Sequence, residues 1–404
     1  MRKGWKKVRL GDAPVQIIDG DRGKNYPKLD EFTATGYCLF LNTKNVTANG
    51  FSFAEQMYIT QKKDNLLRKG RLLKGDIVLT TRGTVGNIAF YNDNIPYDNI
   101  RINSGMVLLR ADTDKIIPEY LYLLVRSSIV QDQIKTLMTG SAQPQLPISS
   151  MVKIVFPLPP IQEQRAIAAV LSCLDDKIFI NTKINHHLEQ MAQAIFKSWF
   201  VDFEPWGGEM PDDWREGTIS EICSYGSERI SVSELTNETY ISTENMLANR
   251  GGFVNATSLP TTSSTAMFRP GNVLVSNIRP YFKKIIYCSF TGGCSADVLC
   301  FQAKNNVVEP YLYCLLFSDT FFDYIVAGSK GTKMPRGDKQ QIINYPTVIP
   351  HDKILIDFVG LVAPTLSAIE SNRDECRNLA ALRDTLLPKL MSGELSVADL
   401  ETAK

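Results

Sequence analysis

The chain has 404 residues, of which 44% are hydrophobic and 22% charged, a composition typical of a globular protein and not of a disordered one. This length is enough for two or three domains with cores of their own. The formal net charge is only +1, so the total charge neither indicates nor excludes a nucleic-acid ligand. Because no apolar segment follows Met1 to Lys7 and no uninterrupted apolar run of about 18 residues occurs, we expect a cytoplasmic chain that does not span a membrane.

Basic residues are concentrated in two separate segments. Residues 61–75 carry six lysines and arginines against a single acid, Asp64. Residues 328–339 carry four against Asp338, whereas residues 202–216 between them are strongly acidic. Two phosphate-contacting surfaces would need this separation of positive charge.

Segments of the first half of the chain recur in the second half in the same order. The numbering offset falls from 209 for Trp5 and Trp214 to 191 for later matches, as loops change length. The clearest matches are 40–46 with 240–246, 74–80 with 270–276 and 120–122 with 311–313. We conclude that the chain is duplicated, and that each half has short strands separated by Gly, Asn and Pro turns, followed by a long helix.

The two long helices have the heptad pattern of a coiled coil. Residues 161–201 contain neither proline nor glycine, and their apolar residues recur at steps of four and three. The second helix repeats this pattern after Pro350, with Pro388 and Gly393 near its end. Asn181 and Asn372 fall at equivalent seam positions, where a polar residue can fix the register of an antiparallel pair. The alternative is that both asparagines face solvent.

Several large apolar side chains of the first helix lie off the main seam. They are Phe179, Met191, Phe196 and Phe200. An apolar surface on more than one side of a helix indicates that a partner covers part of it.

The ends of the two halves resemble a known family. The motifs are residues 140–146 followed by 156–165, then Ala194-Ile-Phe-Lys-Ser-Trp-Phe-Val-Asp-Phe-Glu-Pro205, and finally Leu386-Leu-Pro-Lys-Leu-Met-Ser-Gly-Glu-Leu395. They are similar to the conserved segments of specificity subunits of type I restriction-modification enzymes, and the resemblance covers nearly the whole chain. Residues 354–357 depart from it, because Ile-Leu-Ile-Asp stands where the first helix has Glu163-Gln164-Arg165-Ala166.

The resemblance implies an α+β fold with two duplicated mixed α/β target-recognition domains and two conserved helices that pack as an antiparallel coiled coil. The implied boundaries are 1–156 for the first domain, 157–203 for the first spacer helix, 204–346 for the second domain, and 347–404 for the second spacer helix and tail. Such subunits read a bipartite site in double-stranded DNA and recruit two modification (methyltransferase) subunits and restriction/translocase subunits. S-adenosylmethionine, ATP and Mg²⁺ are then expected on those partners, with no cofactor on this chain.

Two loops in each half are the candidate DNA contacts. The first is the turn at 80–86, with Thr81 and Arg82, matched by 277–284 with Arg279 and Lys283; an arginine here could form a fork with guanine. The second is the glycine loop at 140–145, matched by 330–336. Its candidates are Gln143 and Gln145 for adenine, and Lys330, Lys333 and Arg336 for phosphate or guanine. The alternative for any one of these side chains is a solvated charge or a turn former.

The sequence lacks the motifs of an autonomous enzyme. No Asn/Asp-Pro-Pro-Tyr/Phe segment for a flipped base and no Walker-type phosphate loop are found, and there are three histidines. Eight cysteines occur without a C-x-x-C pair, so buried reduced thiols are expected and no metal site. Three hypotheses remain at this point: a DNA-specificity subunit, a coiled-coil scaffold that binds only protein, and a self-contained restriction or modification enzyme.

Overall fold

The computed structural model describes residue 2 and residues 4–48, 50–140 and 143–401, and the chain forms two compact units. Unit 1 comprises Met1–Phe179 together with Cys376–Lys404, and unit 2 comprises Ile180–Glu375. Each unit mixes short strands with helices, so the α+β class expected from the sequence is confirmed.

The first 160 residues of unit 1 contain eleven strands and four short helices in the part of the chain described. The strands are β1 (Lys6–Arg9), β2 (Val15–Asp19), β3 (Cys38–Leu41), β4 (Val46–Thr47), β5 (Gly50–Phe51), β6 (Tyr58–Ile59), β7 (Ile77–Thr80), β8 (Ile88–Phe90), β9 (Ile100–Ile102), β10 (Met106–Ala111) and β11 (Val155–Leu158). The helices are α1 (Gln61–Leu66), α2 (Pro118–Arg126), α3 (Ser128–Leu137) and α4 (Ile148–Met151). The long helix α5 (Ile161–Phe200) begins in unit 1 and continues into unit 2.

Unit 2 follows the same plan. Its strands are β12 (Arg215–Thr218), β13 (Cys223–Tyr225), β14 (Arg229–Ser231), β15 (Tyr240–Ile241), β16 (Ser264–Phe268), β17 (Val273–Ser276), β18 (Ile285–Tyr287), β19 (Gly292–Cys294), β20 (Val298–Ala303) and β21 (Pro346–Ile349). Its short helices are α6 (Glu309–Phe317), α7 (Asp319–Ala327) and α8 (Lys339–Ile343). The second long helix, α9 (Asp352–Ser392), begins in unit 2 and ends in unit 1, where α10 (Val397–Glu401) follows.

The sheet topology repeats between the units. The central sheet has the order β2-β10-β7-β8 in unit 1 and β13-β20-β17-β18 in unit 2, with antiparallel neighbours throughout. Each unit also pairs its first strand with its last, β1 with β11 and β12 with β21, and contains one parallel pair, β3 with β9 and β15 with β19. The duplication inferred from the sequence is therefore present in the topology.

The strand register corrects one detail of the sequence match. Met106 lies opposite Thr80 in unit 1, and Val298 lies opposite Ser276 in unit 2, so β10 and β20 are related by an offset of 192 instead of 191. A slip of one residue would move every side chain of the strand to the other face of the sheet. The burial agrees with the register, because Val107 and Leu299 both pack on the face that meets the long helices.

Each unit encloses part of both long helices in its core. In unit 1, Leu171 of α5 and Leu390 of α9 pack with Leu79 of the central sheet, and all three side chains are fully buried or nearly so. In unit 2, Phe196 of α5 and Phe358 of α9 pack with the sheet and with α6. The helix seams thus belong to the hydrophobic cores that hold the strands.

The two long helices run antiparallel in both units. In unit 1, Arg383 contacts Asp175 at 2.7 Å and Cys376 contacts the carbonyl of Ile178. In unit 2, the amide of Asn181 donates to Glu375 Oε2 at 2.7 Å, whereas Arg373 pairs with Glu189 at 2.8 Å. Partner numbers on α9 fall as those on α5 rise, as the antiparallel coiled coil predicts.

The register asparagines have partners on the opposite helix. Asn181 is 1% exposed, which excludes the alternative that it faces solvent, while Asn372 is half-buried. Asn372 donates to the side chain of Asn185. The two register asparagines do not bind each other, because the hydrogen bond from Asn181 is accepted by Glu375.

The apolar surface expected on α5 is smaller than the sequence indicated. Phe196 and Phe200 are each only 4% exposed and belong to the core of unit 2, so no partner is needed to cover them. Phe179 and Met191 are exposed, at 40% and 56%. The heptad pattern could not show this, because the sheet and α6 pack on a second side of the helix.

Within the described residues, α9 is the one helix long and apolar enough to cross a membrane by length and composition alone. Its residues Phe358, Val362, Leu366 and Ile369 are buried in the core of unit 2. Packing inside the protein accounts for these four residues, whereas Ile356 and Leu361 of the same helix are exposed. The helix continues past Pro388 without interruption and ends at Ser392, before Gly393 with its positive φ of 75°.

Candidate nucleic-acid interface

The two candidate loops of unit 1 are joined to each other by backbone hydrogen bonds. Gln145 forms isolated β-bridges with both Arg82 and Thr139. The Leu146 N–H donates to the Thr81 carbonyl at 2.9 Å, and the Gln145 N–H donates to the Thr139 carbonyl at 2.9 Å. Ser141 and Ala142, also in the second loop, lie outside the described residues. The structure therefore joins residues 81–86 to residues 139–140 and 143–145.

The side chains of this surface differ in accessibility. Arg82 and Gln143 are exposed, and Gln145 is half-buried. Thr81, expected as a DNA contact, is only 5% exposed, and its hydroxyl donates to the Gly105 carbonyl at 3.0 Å. Thr81 therefore fixes the loop from beneath and does not present its side chain to a ligand.

A further basic side chain lies beside Arg82 and was not singled out from the sequence. Arg22 is exposed, pairs with Asp19 at 3.1 Å and donates to the Ser104 carbonyl. Arg22, Arg82 and Gln145 line one pocket. The only signal in the sequence was the turn-like Asp21-Arg22-Gly23 segment, which carries no chemistry by itself.

The basic segment 61–75 of unit 1 contains both paired and unpaired charges. Lys63 pairs with Glu31 at 2.8 Å, and Arg71 contacts the fully buried Asp64 at 3.4 Å. Lys62, Arg68 and Lys69 are exposed and have no acidic partner among the described residues. Lys74 is exposed as well, but its ammonium donates to the carbonyls of Asn92 and Ile95, so Lys62, Arg68 and Lys69 are the cations of this segment left for a phosphate backbone.

The two candidate loops of unit 2 are joined in the same way as those of unit 1. Arg336 forms β-bridges with Ile278 and Lys330, and the Gly337 N–H donates to the Asn277 carbonyl at 3.1 Å. The bridges make Arg336 the equivalent of Gln145, and Ile278 the equivalent of Arg82. Arg279 therefore stands one residue beyond the position that the sequence match gave it.

The five cations predicted in unit 2 fall into three groups. Arg279 and Lys333 are exposed and have no acidic partner in the described part of the chain. Lys330 pairs with Asp338 at 2.8 Å and Arg336 with Asp297 at 3.1 Å, yet their side chains remain 82% and 58% exposed. Lys283 is half-buried and pairs with Asp319 at 2.6 Å, so it anchors the loop and its charge is already compensated.

The loop 279–283 has an unusual backbone. Arg279 and Lys283 have positive φ values of 50° and 49° and flank the 3-10 turn Pro280–Phe282. Such conformations of non-glycine residues cost on the order of 1–3 kcal/mol each and persist where the surroundings enforce them. Tyr281 and Phe282, which were not among the residues predicted from the sequence, are exposed at the tip of this turn.

The described residues contain no group of three or more His, Cys, Asp or Glu side chains that could hold a metal ion. Six of the eight cysteines are buried, as expected from the sequence. Burial raises the pKa of the Cys294 thiol to about 12, so this side chain stays protonated near neutral pH. The evenly spaced Cys288, Cys294 and Cys300 pack in a small apolar core of unit 2.

Comparisons with known proteins agree with this architecture. Residues 2–190 match the family model of the type I restriction modification DNA specificity domain. The MjaIX specificity subunit of a type I restriction enzyme from Methanocaldococcus jannaschii is 28% identical over 386 residues, covering 88% of this chain and 87% of its own. The HindI specificity subunit from Haemophilus influenzae is 31% identical over 209 residues, covering 50% of this chain and 42% of its own.

A solved structure shows the same fold. The S subunit of a type I restriction-modification system from M. genitalium aligns with a TM-score of 0.57 at 16% identity, covering 96% of each chain. Residues 2–190 therefore match the type I restriction modification DNA specificity domain, and most of the chain is similar to a specificity subunit of a type I restriction enzyme.

Proposed function

We propose that the chain is the DNA-binding specificity subunit of a type I restriction-modification complex and that each half reads one part of a bipartite site. One observation carries this proposal: the same pair of loops is bridged in both units and presents basic and amide side chains. Amide and guanidinium groups can each form two hydrogen bonds with the edge of a purine in the major groove.

The exposed side chains are assigned the base and phosphate contacts. In unit 1, Arg82, Gln143 and Gln145 read bases, with Arg22 beside them. In unit 2, Arg279 and Arg336 read bases, whereas Lys330 and Lys333 hold phosphates. Thr81 and Lys283 position the loops, because both side chains already have partners within the protein.

Phosphate attraction in unit 1 is assigned to the unpaired cations of the 61–75 segment. Lys62, Arg68 and Lys69 would each release counterions on contact with a phosphate. Unit 2 has no helix between β16 and β17, the place that α1 occupies between β6 and β7 of unit 1. We therefore expect the two halves to contribute unequally to the salt dependence of binding.

The remaining assignments follow from the family. Target-recognition domains at 1–156 and 204–346 would be connected by spacer helices at 157–203 and 347–404, and the helices would set the gap and dock two modification subunits. Ile180, Ile184 and Met191 form an exposed apolar face on α5 that suits such docking. Restriction/translocase subunits complete the complex, and the partners carry S-adenosylmethionine, ATP and Mg²⁺, all in the cytoplasm.

The test is selection from a random duplex library with this chain co-purified with its modification subunit. A motif in two parts with a fixed unread gap is the expected result. A contiguous motif would mean that only one half reads DNA. No enrichment would overturn the proposal in favour of a scaffold that binds only protein.

A further inference from the structure

The turn Arg279–Lys283 of unit 2 is held rigidly at its base. The Asn249 N–H donates to the Phe282 carbonyl at 2.8 Å, and the Arg250 N–H donates to the Lys283 carbonyl at 2.9 Å. Asn249, Arg250, Arg279 and Lys283 make up four of the five non-glycine residues with positive φ in the described part of the chain. Two segments with residues in the left-handed backbone region are thus joined by backbone hydrogen bonds.

Charged contacts fix the same base to helix α7. Asp319 lies 2.6 Å from both Arg250 Nη2 and Lys283 Nζ, so one carboxylate joins the two segments. The Arg250 guanidinium also lies 4.8 Å from the centre of the Phe317 ring. This arrangement holds the backbone of the turn in a conformation that its own residues disfavour.

The fixed turn displays apolar rings to solvent. Tyr281 and Phe282 are 49% and 38% exposed, and their ring centroids lie 4.7 Å apart. Met334, 50% exposed, precedes Pro335, whose carbonyl accepts a hydrogen bond from the Arg279 N–H at 2.8 Å. Exposed apolar side chains that lie against one another can form part of a binding surface.

The charges around these rings indicate what binds there. Arg279 precedes the turn, and Lys333 and Arg336 lie on the loop bridged to it, so the cluster sits in a positive surround. A nucleic-acid duplex offers phosphates together with apolar thymine methyl groups at the edges of its bases. Aromatic side chains pack against the 5-methyl group of thymine in the major groove.

We propose that Tyr281 and Phe282 are specificity-determining residues of unit 2, which pack against thymine methyl groups in one half of the DNA site. This inference rests on the proposed function and adds the apolar part of the reading surface to it. The matching turn of unit 1 has Gly83 and Gly86 and no aromatic residue between them, so the contact is confined to unit 2. The two halves of the site then differ in their dependence on thymine.

The experiment measures binding of the selected duplex, and of duplexes in which each thymine is replaced in turn by deoxyuridine, which lacks the methyl group. We expect the native chain to lose affinity at one or two thymines of one half-site. Tyr281→Ala and Phe282→Ala should each weaken binding about tenfold, the usual size of one lost base contact, and should abolish the difference between thymine and deoxyuridine there.

Two variants serve as controls. Tyr281→Phe keeps the ring and should behave as the native chain, and Leu29→Ala removes an exposed apolar side chain from unit 1 and should leave this half-site unchanged. If the native chain selects a bipartite motif but the alanine variants keep its affinity and its thymine preference, the inference is wrong and the proposed function stands. Uniform weakening on all sequences would also overturn it, and absence of any motif for the native chain would overturn both.

Discussion

Asn372 and Asn185 bind each other across the helix seam of unit 2. The Asn372 amide donates to Asn185 Oδ1 at 2.8 Å, and the Asn185 amide donates to the Ile369 carbonyl at 3.1 Å. Asn185 is only 7% exposed, so a shift in register would leave buried amides without partners. We therefore expect this pair to fix how α5 and α9 align within the unit.

Replacement of Asn185 by leucine should destabilise unit 2 by about 1–2 kcal/mol, because Asn372 would lose the acceptor for its amide. The double variant Asn185→Leu/Asn372→Leu should recover part of this loss, since neither polar group then remains. Urea unfolding of the four proteins in the cycle measures the coupling. Strictly additive effects would show that the pair does not act as a unit.

Gln164 of α5 fastens the helix to the rest of unit 1. It accepts from the Ile117 N–H at 2.9 Å and donates to the carbonyls of Pro159 and Lys115, and it is 1% exposed. Leu355, 4% exposed, takes the matching place in unit 2. The departure from the family motif at this point therefore replaces a hydrogen-bonded amide by apolar packing.

Replacing each of these two residues by the other should destabilise the unit in which it lies. Gln164→Leu leaves an amide N–H and two carbonyls without partners, and Leu355→Gln buries an amide that has none, each at a cost of about 1–3 kcal/mol. Thermal unfolding checks the prediction. Leu361→Ala, at an exposed position of α9, is the matched control. The prediction would be wrong if Gln164→Leu or Leu355→Gln lowered the Tm no more than this control does.

The helix pair and the bridged loops could be anticipated because their signals are local or repeated. Heptad spacing depends only on the sequence near each residue, and the duplication supplies two views of one plan. The role of an individual side chain could not be anticipated. The charge of Lys283 is compensated by Asp319, 36 residues further on, and the Thr81 hydroxyl donates to the carbonyl of Gly105.

The burial of Phe196 and Phe200 could not be predicted from the sequence for a related reason. Periodicity shows which residues share a face of a helix, but not how many faces are covered. In unit 2, Tyr311 of α6 packs on both rings at 5.5 and 4.8 Å between centroids. The one-residue difference in offset at β20 likewise follows from the pairing of the strands. A match between the two halves of the sequence contains no information on that pairing.

Neutralising the free cations of unit 1 should reduce the salt dependence of DNA binding. The triple variant Lys62→Ala/Arg68→Ala/Lys69→Ala removes up to three phosphate contacts, each worth roughly 0.9 in the slope of log K against log salt. Binding measured between about 0.05 and 0.2 M salt checks this slope. Lys135→Ala, an exposed cation on α3 paired with Asp132, is the control, and an unchanged slope in the triple variant would refute the assignment.

Removal of a base-reading arginine should affect one half-site and leave the other intact. Arg82→Ala and Arg336→Ala are each expected to cost about 1–3 kcal/mol and to relax base preference at one position, because a lost fork cannot distinguish guanine from other bases. Sequencing of DNA selected by each variant is the measurement. If both variants relaxed the same half-site, the division of reading between the units would be wrong.

Asp319, which pairs with Arg250 and Lys283 below the Tyr281 turn, should stabilise the protein to the same extent at every pH above about 4. The side-chain hydrogen bonds of Arg250 and Lys283 lower the pKa of Asp319 from 3.8 to about 2. Since the folded pKa lies below the unfolded one, the stabilisation is fully present above about pH 4 and is lost as the pH falls through about 2. The Tm difference between the native chain and Asp319→Asn should therefore stay constant from about pH 7 to 5 and narrow below about pH 4. Asp323→Asn, exposed on the same helix, is the control, and a difference that stayed constant below about pH 4 would show that the pKa of Asp319 is not lowered.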